Sequence, residues 1–287
     1  TLLITDTAAI NDWLLAEQNS VGLVAQFRGI ESLMGNDNND SFTFTGQTEV
    51  TSIEGGAGEN ALLWSAGDVA VNLGAQSINE AIVFSDIASF SADQETNNSL
   101  IGADQVNTWI LDSTNSGTVN SIAFSGFNQL QGGSDQDTLQ ATDTDNRWLN
   151  LDATRNALND VLAFNGIETL NGGAGADEFS AELVGVTAID GGLGTNQLTA
   201  SGAADNEWSI DGSNSGAFNT TFVFEGIQNL IGNADNDTFT WYGHSCVELR
   251  TPGGRVVMID PWFGNPTSPQ SQDAIGECDV MLVSHGH

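Results

Sequence analysis

The sequence predicts an all-β protein, and its first 240 residues are expected to form a right-handed parallel β-solenoid with coils of about 20 residues. Three observations support this fold class. The chain of 287 residues contains 33 glycines, together with many Asn, Asp, Ser and Thr residues, a composition that favours tight turns between short strands. Apolar and polar residues alternate between the turns, as in residues 41–44, which is the period of a strand with one buried face. One pattern of apolar residues and glycines also recurs along the chain.

The recurring pattern sets the length of a coil. Four copies begin at Phe27, Phe124, Phe164 and Phe224 and run through a glycine turn to an Asp, whereas a fifth copy at Phe84 has lost its glycine turn. These phenylalanines are 57, 40, 40 and 60 residues apart in chain order, close to multiples of about 20, so we expect stacked coils that share one inner apolar row. A tryptophan precedes each complete copy, and we expect all these aromatic residues to pack in the core. The tryptophans are Trp13, Trp109, Trp148 and Trp208.

Charge excludes two classes of function. The chain has 38 acidic residues and 5 basic ones, for a net charge of −33. Binding to a nucleic acid or to an anionic membrane surface requires clusters of Lys and Arg, but the chain has no Lys and its Arg residues are scattered. No apolar run approaches the roughly 18 residues of a membrane span. We therefore expect neither a nucleic-acid partner nor a membrane span.

The composition changes near residue 240. All three His, both Cys, all four Pro and the single Tyr lie after Thr240. Residues 1–240 hold 33 of the 38 acidic residues and three of the five Arg, which gives this part a net charge of −30. We place a boundary here, between an acidic Gly/Asp/Asn-rich repeat domain (1–240) and a different segment (241–287).

One turn of the repeat domain carries a specific motif. Residues 172–179 read Gly-Gly-Ala-Gly-Ala-Asp-Glu-Phe, and on these residues the domain resembles the hemolysin-type, or RTX, calcium-binding repeats of secreted bacterial proteins. The resemblance implies that turn carbonyl groups and Asp carboxylates bind Ca²⁺, a hard cation that takes 6 to 8 oxygen ligands. The candidate calcium ligands are Asp40, Asp137, Asp177 and Asp237.

Other turns depart from this motif. Turns 35–40, 132–137 and 232–237 lack the third glycine and add a second Asp, while turns 55–60 and 191–196 have Asn at the Asp position. In the calcium-binding family each ion lies between consecutive turns, so two interpretations stay open. The Asp residues either bind calcium or cap their turns through side-chain to backbone hydrogen bonds. The net charge slightly favours calcium, because carboxylate repulsion opposes compaction unless cations screen it.

The C-terminal segment shows a different pattern. Residues 241–250 and 255–259 are apolar-rich runs on either side of Pro-Gly-Gly and predict a hairpin. Residues 278–283 predict a short strand of the buried type. Together with residues 242–246 and 259–266, this strand and its His-Gly-His ending resemble the opening of a metallo-β-lactamase-fold, metal-dependent hydrolase.

This resemblance implies part of a metal site. In that family the strand ends in H-x-H-x-D-H, which holds zinc or a similar metal that activates water. His285 and His287 match the first two ligands, and His244 and Asp260 match positions near the site without a direct metal bond. Asp260 equally fits a turn-forming residue before Pro261.

The rest of that motif is absent from the chain. Two His are fewer than the three protein ligands of catalytic zinc sites, so we predict no catalytic residue and no hydrolase activity for residues 1–287. Without the second half of the hydrolase fold, the tail strands are expected either to lack order or to extend the open end of the solenoid.

These observations predict a segment of a secreted or surface bacterial repeat protein with a structural or adhesive role. Calcium outside the cell would neutralise its turns and close the solenoid, and its partner would be an extracellular ligand. The absence of Cys from residues 1–240 fits export. The alternative is a metal-dependent hydrolase to which the repeats are an appendage. The two parts are either an artefactual or fragmentary join or a true fusion.

Overall fold

The fold consists of short β-strands. The computed structural model describes residues 2–3, 12–15, 19–21, 25–93, 97–202, 204–219, 221–233, 237–241, 247–250, 255–259 and 278–283. Every regular element within these ranges is a strand and none is a helix, which confirms the all-β prediction. No described segment is therefore a helix of the length and apolarity that crossing a membrane requires.

The chain divides into two compact units, residues 1–142 with 157–168 and residues 143–156 with 169–287. The first unit contains β1 (Leu2–Leu3), β2 (Asp12–Leu15), β3 (Asn19–Val21), β4 (Ala25–Phe27), β5 (Ser32–Met34), β6 (Ser41–Phe44), β7 (Ser52–Glu54), β8 (Ala61–Trp64), β9 (Val69–Asn72), β10 (Ser77–Ile78), β11 (Ile82–Ser85), β12 (Ser89–Ala92), β13 (Asn98–Ile101), β14 (Thr108–Ser113), β15 (Ser116–Val119), β16 (Ile122–Ser125), β17 (Gln129–Gln131), β18 (Thr138–Gln140) and β21 (Leu162–Asn165). The second unit contains β19 (Arg147–Asn150), β22 (Thr169–Asn171), β23 (Glu178–Ser180), β24 (Ala188–Asp190), β25 (Gln197–Thr199), β26 (Asn206–Gly212), β27 (Ser215–Phe218), β28 (Phe222–Glu225), β29 (Asn229–Ile231), β30 (Asp237–Trp241), β31 (Val247–Arg250), β32 (Val256–Ile259) and β33 (Val280–Leu282). Strand β20 (Asn156–Leu158) begins at the last residue of segment 143–156 and continues into segment 157–168.

Parallel strand pairs place buried apolar residues in columns. In the first unit Phe42 pairs with Leu62, Leu62 with Phe90, and Phe90 with Phe124, and all four side chains are buried. The same arrangement gives the columns Leu33–Ile53–Phe84 and Val71–Leu100–Leu130–Phe164. In the second unit it gives Leu170–Ile189–Phe224 and Trp148–Phe179–Leu198, and the second column continues to the half-buried Leu230. The alternation of apolar and polar residues along each strand places these side chains on one face of the strand.

Where two strands that pair in parallel are far apart in the sequence, part of the chain between them forms an antiparallel hairpin. The sequence interpretation did not include these hairpins. Strands β14, β15 and β16 form an antiparallel meander, as do β26, β27 and β28. Val119 pairs with Ile122 across a loop of Asn120 (φ 46°) and Ser121 (φ 75°). Positive φ at both loop residues is the geometry of a type I′ turn, whose twist matches that of the strands it joins. The chain therefore contains antiparallel hairpins between its parallel strands.

The four tryptophans lie in the core, which confirms that part of the prediction. Trp13, Trp109, Trp148 and Trp208 are all essentially inaccessible to solvent. The parallel register sets Trp148 against Phe179, and their rings are stacked with centroids 5.6 Å apart and planes 8° apart. Such aromatic pairs add to the apolar area that the strands bury.

The C-terminal segment continues as strands in the second unit. β31 and β32 form the predicted antiparallel hairpin, and β33 runs parallel to β32. β31 also pairs in parallel with β29, through Ile231 and Arg250. The prediction of a buried strand at 278–283 is wrong: residues 280–283 are between 40% and 63% exposed, because no described residues cover them.

Candidate functional site

A row of buried Asp and Asn side chains follows the turns of each unit, and we call it the Asx row. Its members lie at the end of a turn, at or just before the strand that follows. They are Asp40, Asn60, Asn98, Asn107 and Asp137 in the first unit, and Asn146, Asp177, Asn196, Asn206 and Asp237 in the second. All are buried except Asp237, which is half-buried.

Side-chain oxygens of the Asx row accept hydrogen bonds from the backbone of the neighbouring turn. The Asp40 N–H donates to Asn60 Oδ1 over 2.8 Å, and the Asp177 N–H donates to Asn196 Oδ1 over 2.9 Å. The Asn146 N–H donates to Asp177 Oδ1 over 2.9 Å in the same way. Each such bond contributes about 1 kcal/mol net, so the row helps to fix the register between neighbouring strands.

The Asn members also donate hydrogen bonds. Asn196 Nδ2 donates to the carbonyl oxygens of Gly191 and Gly226, over 2.8 and 2.9 Å. The first bond stays within its own turn and the second reaches the neighbouring one. A carboxylate at the same position has no proton with which to make either bond.

The carboxylates of Asp40 and Asp137 differ from the Asn amides because they only accept hydrogen bonds. Asp40 Oδ2 accepts the N–H of Asn36 over 2.7 Å. Asp137 Oδ2 accepts the Gly133 N–H over 2.6 Å, while its Oδ1 accepts both the N–H and the Nδ2 of Asn107, over 2.6 and 2.9 Å. These are the hydrogen bonds that the turn-capping interpretation predicts.

Asp177, in the turn with the complete motif, lacks the hydrogen bond that Oδ2 accepts in Asp40 and Asp137. The N–H of Gly173, which corresponds to that of Gly133, donates instead to Asn171 Oδ1 over 2.9 Å. Asp177 Oδ2 is consequently buried with no hydrogen-bond partner among the described residues. A Cβ on Gly172 would collide with both this oxygen and the carbonyl oxygen of Gly191.

The surroundings of Asp177 disfavour its negative charge. Burial is the largest cause, and the negative charge of Asp145 adds to it, whereas the hydrogen bonds from Asn146 act in the opposite direction. Together they raise the pKa of Asp177 from 3.8 to about 6. A carboxylate oxygen without a donor gains by taking up a proton or a cation.

Asp237 is the counterpart of Asp137 in a hydrogen-bond relay that occurs twice. Asn120 Nδ2 donates to Asn107 Oδ1, and Asn107 Nδ2 donates to Asp137 Oδ1, each over 2.9 Å. In the second relay Asn219 Nδ2 donates to Asn206 Oδ1, and Asn206 Nδ2 donates to Asp237 Oδ1, again over 2.9 Å each. The sequence interpretation missed these Asn residues, although their place before a strand was a usable signal.

The four candidate calcium ligands do not share a turn. Asp40, Asp137, Asp177 and Asp237 each lie in a separate turn. Within the described ranges, no group of three or more His, Cys, Asp and Glu side chains is close enough to hold a metal ion. The predictions for His244, Asp260, His285 and His287 lie outside the residues that the structure describes.

The C-terminal segment has relatives among known proteins. Residues 238–287 match the family model described as a beta-lactamase superfamily domain. The chain is 48% identical over 50 residues to a UPF0173 metal-dependent hydrolase of Anaeromyxobacter sp. (strain K), covering 17% of this chain and 18% of the relative. It is 50% identical over 50 residues to one of Anaeromyxobacter dehalogenans (strain 2CP-C), with the same coverage. A Myxococcus xanthus (strain DK1622) relative is 44% identical over 48 residues, 17% of each chain.

These matches confirm that the C-terminal segment is similar to metal-dependent hydrolases. The chain spans less than a fifth of the length of these three curated relatives. No solved structure matches the chain.

Proposed function

We propose that residues 1–240 are a right-handed parallel β-solenoid from a secreted or surface bacterial repeat protein, with a structural or adhesive role and turns that bind calcium. The observation that carries the calcium proposal is the buried Oδ2 of Asp177, which has no hydrogen-bond partner among the described residues. The columns of parallel strands support the solenoid, because each strand buries its inner face only against its neighbours.

Calcium fits this turn chemically. Ca²⁺ takes 6 to 8 oxygens from carboxylates, backbone carbonyls and water, and the Asp177 carboxylate oxygen and the Gly191 carbonyl oxygen both lie close to Gly172. A cation there would replace the missing hydrogen bond and offset the repulsion from Asp145. Calcium binding to the folded state alone would also stabilise a chain with a net charge of −33.

A calcium titration of the 287-residue chain tests this proposal, with circular dichroism and the thermal midpoint as readouts and a chelator as the reference. We expect calcium to raise the midpoint of the wild type and to have little effect on Asp177→Asn. The matched control is Asp137→Asn, because all its carboxylate partners are protein N–H groups. It should keep the calcium response of the wild type. A wild-type fold that is indifferent to chelator and calcium would overturn the proposal.

A second candidate function is supported by the match at residues 238–287. These residues would belong to a metal-dependent hydrolase domain, with His285 and His287 as ligands of zinc or a similar metal. Zinc binding by the 287-residue chain, measured calorimetrically and compared with His285→Ala/His287→Ala, tests the ligand assignment. We expect weak zinc binding that the double variant loses. Equal zinc binding by both proteins would contradict the assignment.

A further inference from the structure

The chain contains two Asn–Gly pairs, Asn165–Gly166 and Asn171–Gly172. In such a pair the glycine nitrogen can attack the side-chain amide of the Asn and form a cyclic imide, and glycine favours the attack because it has no Cβ to block the approach. The reaction requires a glycine N–H that is free of hydrogen bonds and an Asn side chain that can turn toward it. The two pairs differ in both respects.

Hydrogen bonds hold both reacting groups of Asn171–Gly172. The Gly172 N–H donates to the carbonyl oxygen of Asp190 over 2.9 Å, and Asn171 Oδ1 accepts the Gly173 N–H over 2.9 Å. Gly172 is also buried, and a Cβ there would collide with Asp177 Oδ2. Cyclisation of this pair would first have to break two hydrogen bonds in a crowded turn.

Asn165–Gly166, at the end of β21, lies in open surroundings. Neither the Gly166 N–H nor the Asn165 side chain makes a hydrogen bond to any residue that the structure describes. Gly166 is exposed, and the nearest atom to a Cβ there would be the backbone nitrogen of Gly132, at 3.7 Å. Both reacting groups of this pair are therefore free to approach each other.

We propose that Asn165 is a deamidation site of the folded chain and that Asn171 is protected. The Gly166 nitrogen loses its proton and bonds to Asn165 Cγ, the bond from Cγ to Nδ2 breaks, and ammonia leaves. Water then opens the cyclic imide at either carbonyl, which gives aspartate or isoaspartate. The net change exchanges the amide for a carboxylate and releases ammonium, with one water consumed.

The modification alters the contact between neighbouring turns. The carbonyl oxygen of Asn165 accepts the Gly132 N–H over 3.0 Å. In isoaspartate the main chain runs through the former side-chain carbon, so this carbonyl group moves out of its place in the ladder. We therefore expect a chain modified at this residue to be less stable than the unmodified one.

Peptide mapping of the folded 287-residue chain, incubated with chelator at mildly alkaline pH, tests the proposal. Chymotrypsin cleaves after Phe164, Leu170 and Phe179, so peptides 165–170 and 171–179 report the two pairs separately. Mass spectrometry measures the acid form of each peptide, and an unincubated sample gives the conversion that occurs during digestion. The reaction needs no metal, so its outcome is independent of the calcium proposal.

We expect Asn165 to convert at least about tenfold faster than Asn171 in the folded chain, because the latter must first break its hydrogen bonds. In urea the two pairs should convert at similar rates. Asn165→Gln is the matched control, since the longer side chain cyclises far more slowly and keeps the amide. It should retain its thermal midpoint during an incubation that lowers the midpoint of the wild type.

Equal rates at the two pairs in the folded chain would overturn the proposal. So would an Asn165 that converts in urea but not in the folded chain. A midpoint that falls as far in Asn165→Gln as in the wild type would refute the effect on the contact with Gly132.

Discussion

At the residue scale, Asp177 couples folding to pH. Its pKa is about 6 in the folded chain against an ordinary value of 3.8, so the folded state binds more protons between about pH 4 and pH 6. The free energy of unfolding should therefore fall as pH rises through this window, by about 3 kcal/mol at most. Other carboxylates also titrate here, so the measurement is the difference between wild type and Asp177→Asn in urea unfolding with chelator at pH 4 and pH 7. The variant should gain stability over the wild type as pH rises, and a constant difference would contradict the prediction.

Replacing Asp137 with Asn should lower the stability of the chain, which is the opposite of the effect expected for Asp177→Asn. The Asp137 carboxylate accepts three hydrogen bonds, from Gly133 N, Asn107 N and Asn107 Nδ2. Asp137→Asn would set an amide N–H against one of these donors, and the unsatisfied buried group should cost about 1–3 kcal/mol. Urea unfolding at pH 7 measures this cost. An Asp137→Asn protein as stable as the wild type would show that the relay to Asp137 contributes little.

At the element scale, the antiparallel hairpins depend on turn residues that adopt positive φ. Asn120 has φ 46°, accepts the Thr108 N–H over 2.9 Å and donates to Asn107. Asn120→Ala should destabilise the chain by about 2 kcal/mol, because it loses both bonds and strains the backbone. Ser121→Gly is the matched control: φ is 75° there, so glycine should be neutral or slightly stabilising. Thermal melting of the two variants checks the pair, and an equal loss in both would contradict it.

These hairpins also show what the sequence could predict and what it could not. The parallel columns follow from the alternation of apolar residues, because Phe42 and Leu62 fall on the buried face of strands 20 residues apart. The hairpins were missed because Asn120–Ser121 is not one of the Asn-Gly or Asp-Gly pairs that signal a type I′ turn. The sequence interpretation therefore contained the parallel strands but not the hairpins.

At the scale of the whole molecule, the sequence predicted the Asp positions but not their separate hydrogen-bond environments. Asp137 and Asp177 occupy the same position in the repeated turn. The Gly133 N–H nevertheless donates to Asp137, whereas the Gly173 N–H donates to Asn171. The direction of one N–H therefore decides whether a carboxylate is satisfied, and residue spacing does not encode it. Residues 238–287 were recognised more easily, because their similarity to hydrolases lies in a continuous stretch of sequence.

The charge of the whole chain leads to a last prediction, about salt. With 38 acidic and 5 basic residues, repulsion between carboxylates should oppose folding at low ionic strength. The Debye length falls from about 30 Å at 0.01 M to about 10 Å at 0.1 M, so sodium chloride should raise the thermal midpoint steeply over this range and little beyond it. Thermal melts in chelator across 0.01–0.5 M sodium chloride measure this, with sucrose as an uncharged control. Magnesium chloride at the same concentration as calcium chloride is the divalent control, and a higher midpoint in calcium than in magnesium isolates specific binding. A midpoint that does not change with sodium chloride would show that the strand columns outweigh the charge, and would remove repulsion as a reason for the turns to bind cations.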